Sequence, residues 1–120
     1  MNNHIQKAID VLENGGIIIY PTDTAFGIGC RIDDTKAVDR LFNLRKRPMT
    51  QAMPILVNSI EMARAYFDSP SHIVRHLMES YWPGALTIVN NCKKNMVYRP
   101  LLGGGVTIGL RMPNHPIALA

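Results

Sequence analysis

Residues 17–29 read Ile17-Ile18-Ile19-Tyr20-Pro21-Thr22-Asp23-Thr24-Ala25-Phe26-Gly27-Ile28-Gly29. The short, continuous apolar run at 17–20 is the pattern of a strand buried on both faces. Pro21 has no N–H to give a ladder, so it ends the strand. Two hydroxyls and a carboxylate follow, then two glycines that let a backbone approach a ligand closely. In open α/β sheets, ligands collect just beyond the carboxyl ends of strands. The stretch therefore reads either as a binding loop or as a turn whose hydroxyls and Asp23 satisfy local backbone groups.

Working outward, the punctuation alternates helical with extended patterns. Ile5, Ala8, Ile9 and Leu12 fall at helical spacing, and Asn14-Gly15-Gly16 stops that helix. Asp33, Asp34 or Thr35 can cap a second helix with the apolar stripe Ala37, Val38, Leu41 and Phe42. Pro48 separates it from a strand at Met53–Val57. Asn58 and Glu61 resemble a capping pair for a helix through Ala63 and Phe67. Ser69-Pro70-Ser71 opens another helix, with Ile73, Val74, Leu77 and Met78 facing inward. Trp82-Pro83-Gly84 turns into a strand at Leu86–Val89, and Gly103-Gly104-Gly105 precedes a last strand at Val106–Leu110. Strands alternating with helices predict an α/β fold with a mixed, partly parallel sheet.

Length and composition bound the function. At 120 residues the chain holds one domain's worth of core, and 47% hydrophobic with 18% charged residues suits a soluble globular fold. No apolar run reaches the roughly 18–20 residues of a membrane helix, so no membrane partner is expected. Met1-Asn2-Asn3-His4 lacks the flank and apolar stretch of a secretory signal. Cys30 and Cys92 alone make neither a zinc cluster nor a disulfide scaffold, and the reading is a reducing, cytoplasmic setting. The formal charge is +4, and no acidic residue occurs from Ser80 onward. Nucleotide phosphates or RNA fit that balance, as does ordinary solubilising charge.

Three further segments could carry chemistry. Arg45-Lys46-Arg47 leaves a helix for a loop. It serves either as a dipole complement or as a phosphate site, where guanidinium forks match oxyanions. Tyr81-Trp82-Pro83-Gly84-Ala85-Leu86-Thr87 reads first as an aromatic core anchor and a tight turn. On Val106–Arg111, Thr107, Gly109 and Arg111 alternate with Val106, Ile108 and Leu110, so one face is small, polar and basic. An arginine facing a groove there wants a carboxylate or phosphate partner. His72 and His76 read as a helix face without a third ligand, and generic zinc, Walker, Rossmann and hydrolase motifs are absent.

Taken in order, Tyr-Pro-Thr-Asp-Thr-Ala-Phe-Gly-Ile-Gly at 20–29, Arg-Lys-Arg-Pro at 45–48, Trp-Pro-Gly-Ala-Leu-Thr at 82–87 and Val-Thr-Ile-Gly-Leu-Arg-Met-Pro at 106–113 resemble the YrdC-like family. These are the threonylcarbamoyl-AMP synthases of tRNA modification, and the resemblance runs from about Gly15 to Ala120. It implies a twisted α/β sheet with a concave, basic surface similar to double-stranded-RNA-binding shapes. It also implies condensation of L-threonine, bicarbonate and ATP, with Mg²⁺, into threonylcarbamoyl-AMP and pyrophosphate. Partner proteins would then transfer the threonylcarbamoyl group to adenosine-37 of tRNA.

Carried over by position, the resemblance assigns Thr24 and Arg111 to substrate threonine, Arg111 pairing with its carboxylate. It assigns Arg45, Arg47, Gln51 and Thr107 to ATP and no protein nucleophile, and it leaves open which residues would meet the metal. Arg45 stands where the synthases usually have lysine, and the two are not interchangeable in geometry. The family's Ser-x-Asn segment would lie beyond Ala120. Asn114-His115-Pro116 reads as the start of a helix, so residues 1–120 are expected to be one incomplete domain. Alone, it is expected to be inactive and prone to self-association through an unpaired edge at the last strand. The alternative is a non-catalytic RNA- or nucleotide-binding module.

Overall fold

Residues 3–120 are described by a computed structural model; the first two residues of the leader reading, Met1 and Asn2, lie outside them. Helix α1 (Asn3–Glu13) runs into Gly15, whose φ of +79° suits only glycine comfortably. Strands β1 (Ile18–Tyr20) and β2 (Gly27–Gly29) then form an antiparallel pair, with Tyr20 opposite Gly27. Helix α2 (Thr35–Leu44) is capped by Asp34, whose carboxylate accepts from the Ala37 N–H at 3.1 Å. Its stripe of Ala37, Val38, Leu41 and Phe42 is buried, as the spacing predicts.

Next come β3 (Ile55–Leu56), the short α3 (Ile60–Arg64) and α4 (His72–Tyr81). Strand β4 (Ile88–Asn91), a 3-10 turn at Arg99–Leu102, β5 (Thr107–Arg111) and α5 (Pro116–Leu119) complete the order. A three-stranded sheet has the order β3-β5-β4, with β3 parallel and β4 antiparallel to β5. The fold is thus α/β with a mixed, partly parallel sheet. Phe42, Phe67, Met78, Ile108 and Leu110 form the centre of a core closed by α2, α4 and the sheet. No helix among the described residues is long and apolar enough to cross a membrane.

Several expectations are corrected. The run at 17–20 is not covered on both faces: Ile19 is 73% exposed, because β1 pairs only with β2 and nothing described here packs over it. The last strand is no free edge. It lies centrally, hydrogen-bonded on both sides, and the sheet's edges are β3 and β4. Ser59, not Asn58, caps α3, accepting from the Met62 N–H at 3.0 Å. That helix ends before Phe67, which instead bridges Cys92. Ile73 faces solvent, since the buried arc of α4 is set by Val74, Leu77 and Met78. The fourth strand begins at Ile88 because Leu86 still belongs to the turn, its carbonyl accepting from Trp82 Nε1 at 2.8 Å. Val106 lies before β5 and is 69% exposed.

Candidate functional site

Pro21 ends β1 and delivers Thr22, Asp23 and Thr24 to a turn beyond it. The Thr22 hydroxyl organises that turn. Its Oγ1 accepts from the N–H groups of Thr24 and Ala25, both at 3.2 Å, and donates to the Ala25 carbonyl at 2.6 Å. This is the backbone-satisfying reading of the stretch, and it uses up Thr22. Thr24 Oγ1 lies within hydrogen-bond distance of Thr22 Oγ1, at 3.2 Å, and also reaches Arg111.

Arg111 meets it from the carboxyl end of β5. The alternation of the strand buries Ile108 and Leu110 and leaves Thr107, Gly109 and Arg111 on the other face. Arg111 Nη1 donates to Thr24 Oγ1 at 3.1 Å, Nε donates to the Gly84 carbonyl at 3.0 Å, and Nη2 is bonded to Asp23 Oδ1. Gly84 is held in turn, its N–H donating to the Met112 carbonyl at 2.8 Å. Trp82 anchors that turn in the core, which agrees with the reading of this segment as an aromatic anchor. The side chains of Arg111 and Asp23 are 12% and 18% exposed, so this ion pair lies well out of water. A guanidinium carries five N–H donors. The protein engages three of them, which leaves donors for an incoming carboxylate or phosphate.

Thr24 and Arg111 share one cavity of about 640 Å³ with Arg45 and Arg47. Its walls are α1, the β1–β2 pair, the end of α2 and β3, lined by apolar residues such as Ile5, Leu12 and Leu41. Arg45 caps α2 and is exposed. Arg47 is half-buried, with Nη2 donating to the Ala52 carbonyl at 2.6 Å. Lys46 between them has φ +51° and points to solvent, as expected of one member of a triple cation. Gln51 and Thr107 stand apart from the cavity lining. Gln51 offers its carbonyl to Arg47, and Thr107 pairs with Asn91 at the far end of β5.

Three guanidinium groups in an apolar cavity suit an anionic ligand with an apolar portion. The cavity also holds Cys30, but burial pushes its thiol up, so it is no ready thiolate nucleophile. Burial likewise raises the Tyr20 phenol, against the pull of Arg111 and Arg45. Among the described residues, no group of three His, Cys, Asp or Glu could hold a metal ion. Asp23, the carboxylate beside the cavity, is committed to Arg111.

Sequence reasoning missed two members of this arrangement. Asp23 reads only as a local turn group, although the acid-free stretch from Ser80 to Ala120 leaves Arg111 without a carboxylate nearby in sequence. Tyr20 enters the sequence reading as the end of the first strand and the start of the 20–29 segment, with no role for its side chain.

Residues 10–120 match the family model of the Sua5/YciO/YrdC domain, described as "Telomere recombination". The chain belongs to the Sua5/YciO/YrdC family. It is 33% identical to the threonylcarbamoyl-AMP synthase of Escherichia coli K12, matching over 100% of this chain and 66% of that protein. It is 30% identical to E. coli YciO, an uncharacterized protein, over 97% of this chain and 56% of the other. Among solved structures, that of P. abyssi Sua5 complexed with L-threonine superimposes with a TM-score of 0.91 at 32% identity, over 96% of this chain and 34% of that one. The crystal structure of E. coli YciO gives 0.85 at 31%, over 97% and 56%. The chain therefore spans between about a third and two thirds of the length of these relatives. Fold and family agree with the four sequence segments.

Proposed function

We propose that residues 1–120 contribute the threonine- and triphosphate-binding face of a threonylcarbamoyl-AMP synthase. The observation that carries this reading is the convergence of Arg111 and Thr24, from opposite ends of the chain, on a cavity also lined by Arg45 and Arg47. Arg111 receives the threonine carboxylate through its remaining donors, and Thr24 Oγ1 fixes the amino acid beside it. Arg47 and Arg45 receive ATP phosphates in the same cavity, whereas Gln51 and Thr107, expected as further ATP contacts, lie off its lining and are given no part in this reading. Support also comes from the names of the synthase relatives and from the bound threonine in the P. abyssi structure.

In the reaction, the threonine amine attacks the carbon of bicarbonate, and water leaves to give the carbamate. A carbamate oxygen then attacks the α-phosphorus of ATP, and the bond to the β-phosphate oxygen breaks, releasing pyrophosphate. The residues here orient the reactants and offset charge; none serves as a nucleophile. Mg²⁺ would accompany ATP and offset part of its phosphate charge. Delivery of the product to tRNA, by partner proteins, follows from the same reading.

The test is pyrophosphate release from ATP by the complete protein. Release that requires both threonine and bicarbonate supports the reading, whereas release without threonine, or none with all three, refutes it. A second reading is a non-catalytic RNA- or nucleotide-binding module. It is favoured by Arg45 at the usual lysine position and by an identity to YciO almost equal to that for the synthase. RNA binding that survives Arg111→Ala, with no nucleotide binding, would establish it.

A further inference from the structure

Tyr20 lies across β2 in an arrangement that only glycines allow. A Cβ on Gly27 would fall 2.7 Å from Tyr20 Cζ and 2.9 Å from its hydroxyl oxygen, and one on Gly29 would fall 3.2 Å from Cε1. The ring therefore rests flat on the bare backbone of its partner strand. It lines the same cavity as Thr24, Arg45 and Arg111. Among the described residues its hydroxyl has no hydrogen-bond partner, although both guanidinium charges reach it. Burial keeps the phenol protonated, so toward an anion it acts as a donor.

We propose that the Tyr20 hydroxyl donates a hydrogen bond to a carbonate-class oxyanion in this cavity, bicarbonate or the carbamate formed from it. The proposal rests on the synthase reading of the site. In that reading Arg111 takes the amino-acid carboxylate and Arg45 and Arg47 take phosphates. Tyr20 lines the same cavity as these arginines, and the group joining the amine to the α-phosphorus is the carbonate carbon with its oxygens. A neutral donor suits that place. It orients the carbamate without drawing off, as a guanidinium would, the negative charge the oxygen needs for attack.

The test is fluorine NMR on the chain labelled with meta-fluorotyrosine, the Tyr20 signal being the one that Tyr20→Phe removes. Sodium bicarbonate, inorganic phosphate and L-threonine are titrated separately at fixed pH. Bicarbonate is expected to move the Tyr20 signal saturably and phosphate is not, while Tyr66, Tyr81 and Tyr98 stay still. Tyr20→Phe, which keeps the ring on its glycine shelf, is expected to weaken labelled-bicarbonate binding about tenfold and to leave threonine affinity within about twofold. A Tyr20 signal that ignores bicarbonate, or responds equally to phosphate, overturns the proposal, as does unchanged bicarbonate binding in Tyr20→Phe. Bicarbonate moving Tyr20 in a chain that binds no threonine would uphold the carbonate contact and refute the threonine reading. Normal threonine binding with a silent Tyr20 would do the reverse.

Discussion

Arg111 Nη1 lies 3.1 Å from Thr24 Oγ1, a hydrogen bond spanning 87 positions of sequence. It ties the turn after β1 to the end of β5, two elements that belong to different sheets. Asp23 and Gly84 complete the grip on the same guanidinium. The side chain expected to bind substrate is thus held in place before substrate arrives, which lowers the entropy lost on binding.

The Asp23–Arg111 pair also contributes to folding. Both side chains are largely covered, so removing one partner leaves the other charge poorly solvated. Asp23→Ala and Arg111→Ala should each cost about 1–3 kcal/mol in urea unfolding. The double variant should cost less than the sum, because the second removal frees no further orphan. Additive losses would show that the pair is not coupled.

Arg47 and Lys46 should separate cleanly. Arg47→Ala is expected to weaken ATP by about 1.5–3 kcal/mol, the range for hydrogen bonds to charged groups, measured by calorimetry. Lys46→Ala should change affinity little, since Lys46 points to solvent. Lys46→Gly should stabilise the fold by up to about 1 kcal/mol, because φ +51° strains a residue with a Cβ. Equal losses of ATP at both positions would indicate a diffuse charge patch instead.

Gly27→Ala should be destabilising by about 1–3 kcal/mol, as over-packing against an aromatic ring is. Its Cβ meets the Tyr20 ring at 2.7 Å, and that ring must leave the shelf. The pair Gly27→Ala with Tyr20→Ala should recover part of the loss. A thermal melt unchanged by Gly27→Ala would contradict the contact.

Alkaline pH should weaken the fold. Burial raises the Tyr20, Cys30 and Cys92 groups above their ordinary values of 10.0 for the phenol and 9.0 for the thiols. Each group holds its proton more tightly folded than unfolded. The stability this contributes is whole below the unfolded pKa and disappears as pH rises through the folded one. Unfolding free energy should therefore fall from about pH 9 upward, and less steeply in Tyr20→Phe. A flat profile through that range would refute it.

Much of this was legible in sequence where local pattern decides the outcome. The stripe from Ala37 to Phe42 and the alternation from Thr107 to Arg111 are periodicities that report one buried face. Ile17–Tyr20 has no alternation, so it cannot tell a strand covered on both sides from one exposed at Ile19. Nor does chain order give sheet order: β5 comes last and lies in the middle. At the site, the motifs single out six residues, of which the fold brings Thr24, Arg45, Arg47 and Arg111 to one cavity and leaves Gln51 and Thr107 off its lining. The Asp23–Arg111 pair joins residues 88 apart, a contact created by tertiary folding and without a local signature.

The central claim is that Arg111 and Thr24 form an amino-acid carboxylate site, and calorimetric titration of L-threonine into this chain tests it most directly. Saturable binding that weakens at least about tenfold in Arg111→Ala, with Thr24→Ala intermediate, is the predicted result. No binding by the wild-type chain, or equal binding by the folded Arg111→Ala variant, would contradict it.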